Sequence, residues 1–215
     1  MKVVQLVKYK NEEWRFVGEK QHLNNPLVLV FGERFQIDSS SIYEEIKTFF
    51  PDGHIIFGSS CAEISSNTVN ENSITVTAIE FERSHFLVKS SNVLNADLDS
   101  YKTGEELIKQ FPVKGLKYVF VVSEGSFING SKLTEGMTSS KDTNLLITGA
   151  LCGDGTRFEK TVASYNENPK EGELIAIGFY GDTLEVTFSI HGGWTPFGPE
   201  RIVTKSDGNT LYELD

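Results

Sequence analysis

Apolar runs of strand length alternate with helix-length segments along this chain. Leu27-Phe31 (LVLVF) is followed by Ser41-Phe50, where Ile42, Ile46, Phe49 and Phe50 fall on one stripe of a helix that Pro51-Asp52-Gly53 stops. His54-Gly58 then returns to strand. The pattern recurs at a constant offset: Cys152 and Cys61 are 152 − 61 = 91 apart, and 91 also carries Leu27-Phe31 onto Tyr118-Val122 and His54-Gly58 onto Leu145-Gly149. It takes Ile42 and Ile46 to Leu133 and Met137, again an i, i+4 pair on one helix face. No gap is needed from Leu27 to Ile64. Each copy is therefore expected to be strand, helix, strand, a βαβ crossover with parallel strands.

A further β-rich stretch follows each copy, Ser73-Phe81 and Glu173-Gly181, offset by 100, so the second copy carries 100 − 91 = 9 extra residues. Phe86-Val88, Val162-Tyr165 and Leu184-Ile190 alternate between Asn, Asp and Gly turn signals and are expected to be strands. Thr103-Gly-Glu-Glu106 has capping-box spacing before Leu107, Ile108 and Phe111, which predicts a helix leading into the second copy. Asp207-Gly208-Asn209 predicts a turn between two closing strands. The fold class is α/β: two pseudo-repeated units, each βαβ plus β-hairpin, in two packed mixed sheets with helices outside. An unbroken single sheet fits the same string. The expected organisation is one domain over 1–215, with its repeats at about 27–94 and 118–190.

With 215 residues, 39 % of them hydrophobic, the chain can bury a substantial core without disulfide or metal staples. Its net charge of −10 comes without basic clusters, which argues against nucleic acid as a partner. No stretch approaches the roughly 20 apolar residues of a membrane span, and the start MKVVQLVKYK lacks the apolar core of a secretory signal. The expected compartment is the cytoplasm. Two cysteines without CxxC spacing fit a reducing compartment, and a single disulfide stays open.

Four blocks in order, LVLVFG, FFPDGHIIFGSSCAEI, GALCGDGTRFEKT and HGGWTPFGPERIVTKSDGNTLYELD, resemble the N-terminal half of FIST domains. The resemblance implies a bacterial sensory module of signal transduction that binds a small ligand such as an amino acid, and not an enzyme. It also implies a second, C-terminal FIST region beyond Tyr212-Glu-Leu-Asp215, absent here. Apolar surface around Leu211, Tyr212 and Leu214 is then expected to be exposed and to drive self-association into a homodimer.

Ligands of parallel α/β units meet the loops at the carboxyl ends of strands. Glu33 and Glu124 follow the first strand of each copy; Cys61 and Glu63, then Cys152, Gly153, Asp154 and Arg157, follow the second. Two roles fit. Paired acids, Glu33 with Glu63 or Glu124 with Asp154, hold a ligand's amine while Arg157 and loop N–H groups hold its carboxylate. Alternatively, the small residues form tight turns and the acids accept backbone hydrogen bonds. The second copy, with its GALCGDGTRF, is the expected home of a ligand. Both cysteines are expected to be buried packing residues, since no histidine is spaced to activate a thiol. The loop from His191 to Pro199 either covers a core edge with Trp194 and Phe197 or forms an aromatic lid.

The expected function is a ligand sensor that reports to a downstream signalling domain or protein and needs no cofactor, metal or membrane. Two alternatives stand beside it. One is a haem-based nitric oxide sensor using one of His22, His54, His85 and His191 as axial ligand, an idea carried by the family resemblance. The other is a carboxylate-dependent enzyme.

Overall fold

A computed structural model describes residues 1–139, 145–189, 192, 193, 195–208 and 210–215. The chain runs β1 (Lys2–Tyr9), β2 (Arg15–Val17), β3 (Leu27–Glu33), α1 (Arg34–Ile37), α2 (Ile42–Phe49), β4 (His54–Ser60), β5 (Glu63–Ser65), β6 (Thr68–Asn70), β7 (Ser73–Glu80) and β8 (His85–Asn92). It continues through α3 (Ser100–Ile108), β9 (Leu116–Ser123), α4 (Gly130–Thr138), β10 (Leu146–Leu151), β11 (Ala163–Tyr165), β12 (Glu173–Tyr180), β13 (Val203–Asp207) and β14 (Thr210–Leu214). A six-stranded sheet has the order β11-β4-β3-β7-β1-β2, and a four-stranded sheet the order β10-β9-β12-β8. β3 and β4 are parallel, as are β9 and β10; the other pairings in these two sheets are antiparallel.

Side-chain alternation sorts the apolar residues into three layers. Val28, Val30, Ile55 and Phe57 of the larger sheet pack under Ile37, Ile42 and Ile46. Val119, Val121, Leu174 and Ala176 of the smaller sheet pack under Leu107, Ile108, Leu133 and Met137. Their opposite faces meet each other: Leu27 and Ile56 on one side, Val122, Ile175 and Ile177 on the other. The two sheets are packed face to face with the helices outside, and an unbroken single sheet is excluded.

The two units match strand for strand, β1-β3-α2-β4-β7 against β8-β9-α4-β10-β12. Leu27 pairs Ile79, and Tyr118, 91 residues on, pairs Phe179, 100 residues on. The second strand of the crossover slips, however. Leu27 lies beside His54, whereas Tyr118 lies beside Leu146 and not Leu145, so β10 stands at an offset of 92 from β4. In a strand, a one-residue slip exchanges the faces of every side chain. Accordingly Ile147, not Leu146, takes the helix-side place of Ile55. The gapless alignment from Leu27 to Ile64 therefore fails after the helix.

Other expectations need correcting. The second-unit lead helix starts at Ser100 and not at the Thr103 box: the Asp99 carboxylate accepts the Lys102 N–H at 2.9 Å, and Thr103 is an interior residue whose hydroxyl donates to the Asp99 carbonyl at 2.7 Å. Leu184–Ser189 forms no strand; Ile190, His191 and Trp194 lie outside the described residues, as does Asn209, while Phe197, expected to cover a core edge, is fully exposed and covers none. The closing hairpin is present as β13 and β14, paired from Val203↔Leu214 to Asp207↔Thr210, and Leu211, Tyr212 and Leu214 are exposed. No described helix is long and apolar enough to cross a membrane.

α3 and α4 cross at two glycines. A Cβ on Gly136 would lie 2.1 Å from the Tyr101 carbonyl oxygen, and one on Gly104 would lie 2.8 Å from that of Leu133. Glycine in an exposed helix interior costs about 1 kcal/mol against Ala, so Gly→Ala normally stabilises a helix. Here the sign reverses. Gly136→Ala is expected to destabilise the protein by about 1–3 kcal/mol through overpacking, read as a lowered midpoint in urea; a raised midpoint would contradict this close crossing.

Candidate functional site

The carboxyl ends of β3, β4, β9 and β10 converge, and the two cysteine-bearing phrases touch there. The Gly153 N–H donates to the Ser59 carbonyl at 2.9 Å, and the Cys152 N–H to that of Ser123 at 2.7 Å. Because β10 is displaced by one residue, the cysteines are not equivalent. Cys152 occupies the place of Ser60, and Cys61 corresponds to Gly153, where a Cβ would lie 2.5 Å from the Cys61 sulfur. Their surroundings differ to match. Cys152 belongs to the layer between the sheets, and burial, reinforced by the Glu124 charge, pushes its thiol up to about 12. Cys61 is exposed, its sulfur 3.7 Å from the Gly155 carbonyl. The expectation that both thiols pack inside fails for Cys61 and holds in part for Cys152, which is half-buried against the layer between the sheets.

Asp154 is almost wholly enclosed, its side chain 1 % exposed. Oδ1 accepts Arg34 Nε at 2.7 Å and Arg157 Nε at 2.9 Å, while Oδ2 accepts the N–H groups of Glu159 and Lys160, each at 3.2 Å. Burial by itself would raise the carboxyl; the guanidinium and amide donors outweigh it and hold Asp154 well below the ordinary aspartate range. Arg34, buried at the start of α1, reaches this partner across 120 residues of sequence. A carboxylate with this many donors shapes the segment from Asp154 to Lys160 into a tight loop, in which Phe158 is held at φ 55°, a conformation rare for an aromatic residue.

The loop presents Arg157 to solvent. Its Nη2 lies 2.7 Å from Glu33 Oε1, and Glu33 in turn accepts the Gln36 N–H at 3.2 Å. Phe35, 62 % exposed, lies against both guanidiniums, with its ring centroid 4.0 Å from the Cζ of Arg34 and 4.8 Å from that of Arg157. Among the described residues, Arg157 Nη1 makes no hydrogen bond.

The other two acids face inward. Glu124 is fully buried and accepts from the Phe127 N–H at 3.0 Å, the Ser126 N–H and the Thr161 hydroxyl. Glu63 is buried under hydroxyls of Ser60 (2.7 Å) and Ser73 (2.5 Å); burial pushes its carboxyl up against the pull of those hydrogen bonds. Thus the structure brings Glu33, Cys61, Gly153, Asp154 and Arg157 together. It pairs neither Glu33 with Glu63 nor Glu124 with Asp154 through hydrogen bonds. Arg34, Phe35, Glu159, Thr161 and Ser73 went unassigned from sequence; Arg34 and Phe35 stood beside Glu33 in GERF, and no spacing ties them to residue 154.

The described histidines are dispersed. His54 Nδ1 lies 2.6 Å from the Tyr165 hydroxyl and Nε2 3.2 Å from Asn25 Oδ1, and burial lowers its pKa. His85 stacks on Tyr180, and His22 is exposed. Among the described residues no group of three His, Cys, Asp or Glu side chains is placed to hold a metal ion.

In comparison with known proteins, a family model described as the FIST N domain matches residues 26–215. No curated protein matches, and no solved structure does.

Two outcomes follow from the geometry. With thiol reagents, the folded protein is expected to label promptly at Cys61 and to react at Cys152 only on unfolding; prompt labelling of both would contradict the burial of Cys152. Asp154→Ala is expected to cost about 3 kcal/mol, because it leaves buried Arg34 with only the exposed Glu159 carboxylate, 3.5 Å from its Nη2, as counter-charge. Since the folded Asp154 pKa is depressed, its stabilisation is full above the ordinary aspartate range and is lost as pH falls through that range toward the folded value. Urea midpoints across acid pH should accordingly fall less steeply in Asp154→Ala than in the parent.

Proposed function

Because the chain belongs to the FIST N domain family, whose members are sensory modules of signal transduction, we propose that it is a cytoplasmic sensor of a small polar metabolite bearing a carboxylate, an amino acid being the leading class. It passes binding to a downstream signalling domain or protein and carries out no catalysis of its own. The observation that supports this is Arg157: a guanidinium fixed through Nε and Nη2 by Asp154 and Glu33, with Nη1 turned to no protein partner among the described residues. A prefixed guanidinium loses little entropy on meeting a carboxylate, and its planar donors suit that group.

Within the site the residues divide by reach. Arg157 takes the carboxylate, Glu33 the amine, and Cys61, Gly153 and Phe35 form the wall beside them. Asp154, Glu63, Glu124 and Cys152 hold the frame from inside, as their burial and protein partners favour.

A thermal-shift screen of amino acids and small organic acids tests this, because a ligand of the native state raises apparent stability. A carboxylate-bearing class is expected to stabilise the protein. Arg157→Ala is then expected to weaken its binding about tenfold to a hundredfold by calorimetry, with a smaller loss of stability than Asp154→Ala. A screen without any stabilising compound, or affinity unchanged in both Arg157→Ala and Glu33→Gln, would refute the assignment.

A further inference from the structure

The equivalence of the two units exposes one unmatched position. β4 carries β11 on its outer edge, antiparallel, with Ala163 opposite Gly58, Ser164 opposite Phe57 and Tyr165 opposite Ile56. At the offset of 92, those three β4 positions correspond to Ala150, Gly149 and Thr148 of β10. Among the described residues no strand lies there: β10 ends the four-stranded sheet, and Gly149, Ala150 and Leu151 are exposed.

Free edges are normally defended by charge, proline or brevity. β2 is three residues long and contains Arg15; β8, at the other end of the smaller sheet, carries His85 and Lys89; β11 is three residues long. β10, Leu146-Ile-Thr-Gly-Ala-Leu151, has neither a charge nor a proline. A groove of about 720 Å³ runs along it, walled by Leu133, Met137, Ile147, Leu151 and Phe188.

We propose that β10 is the self-association edge of this protein, pairing antiparallel with β10 of a second copy about a twofold axis at Gly149. Three observations select a second copy. The seat, by its counterpart β11 on β4, takes an antiparallel strand, and a twofold axis normal to the sheet makes two identical strands antiparallel. The occupant must be extended and uncharged, which is the composition of β10 itself. Centred on Gly149, Thr148 faces Ala150 of the second copy, so only small side chains oppose one another where the strands meet. Gly149 is fixed for a reason internal to each copy, since a Cβ there would lie 2.2 Å from the Val121 carbonyl oxygen. The result is a continuous sheet, β8-β12-β9-β10 joined to its symmetry mate, with Leu151 of each copy opposite Ile147 of the other, on the face that carries the apolar groove. This interface differs from the closing hairpin around Leu211, Tyr212 and Leu214.

Sedimentation of the 215-residue chain over a wide concentration range, with hydrogen exchange at both extremes, tests the proposal. A dimer is expected at high concentration, with the amides of Ile147, Gly149 and Leu151, which alternate with those already bonded to β9, protected only there. Ala150→Glu, at an exposed position, is expected to weaken dimerisation about tenfold or more by placing a charge on each side of the axis, while leaving the thermal midpoint of the dilute protein unchanged. A monomer at every concentration overturns the proposal. So does a dimer insensitive to Ala150→Glu with protection in 203–214, which would locate association in the hairpin. Protection of Ile147, Gly149 and Leu151 amides already in the monomer also overturns it, because the chain's own Leu184–Ser189 would then fill the edge.

Discussion

The fixed point of this architecture is a carboxylate that water cannot reach. Asp154 stays ionised in the interior only because two guanidiniums and two backbone amides replace its hydration. Those donors come from both units: Arg34 from the first crossover, and Arg157, Glu159 and Lys160 from the loop after the second. One buried charge therefore ties the ends of the two sheets together beside the Gly153–Ser59 backbone hydrogen bond, in a chain whose sheets elsewhere meet through an apolar layer that specifies separation more than register. The solvent-facing side of Arg157 is a by-product of the same constraint, since a guanidinium held on one edge presents its other edge in a fixed direction.

The one-residue slip of β10 explains why two nearly identical phrases acquire different chemistry. Had the offset of 91 persisted, Cys61 and Cys152 would share an environment. At 92, Cys152 turns into the layer between the sheets where Ser60 stands in the other unit, and Cys61 turns to the surface opposite Gly153. Gly153 is small because the first unit's thiol fills the space its own side chain would need. Duplication with a register change thus gives one inert thiol and one accessible thiol from the same words.

Much of the fold was legible because it rests on periodicity. LVLVF and YVFVV announced themselves by length and composition, the stripe of Ile42 and Ile46 by helical spacing, and the DG turn by its residues. The slip was invisible, since Leu145, Leu146 and Ile147 are all apolar and pattern cannot tell which of them faces the helices. β1, paired along its whole length with β7, and the short β5–β6 hairpin were passed over for a related reason: mixed polar and apolar strands leave a weak signal. Leu184–Ser189 shows the converse, an alternating string that forms no strand. At the site, the acids and Arg157 could be named from strand ends, but which acids were frame and which faced water depended on donors such as Ser73, Thr161 and Arg34, brought from distant sequence.

The asymmetry between the units gives them separate tasks. In the first, β4 is buried between β3 and β11, and its end supplies Ser59, Ser60 and Cys61 to the cluster. In the second, β10 has a strand neighbour on one side only among the described residues, yet its end supplies the backbone that carries Asp154. A strand held along one edge is easier to displace than one held along both, because fewer ladder bonds resist it. The strand leading into the Asp154 loop is therefore also the strand whose outer edge carries no strand among the described residues. Anything that seats on β10 and anything that engages Arg157 act on the two ends of one short connection, Leu151-Cys152-Gly153, which is clamped at both of its N–H donors, to Ser123 and to Ser59. Each of those hydrogen bonds fixes the connection to a different strand, β9 through Ser123 and β4 through Ser59, so the position of the Asp154 loop is set by both sheets at once.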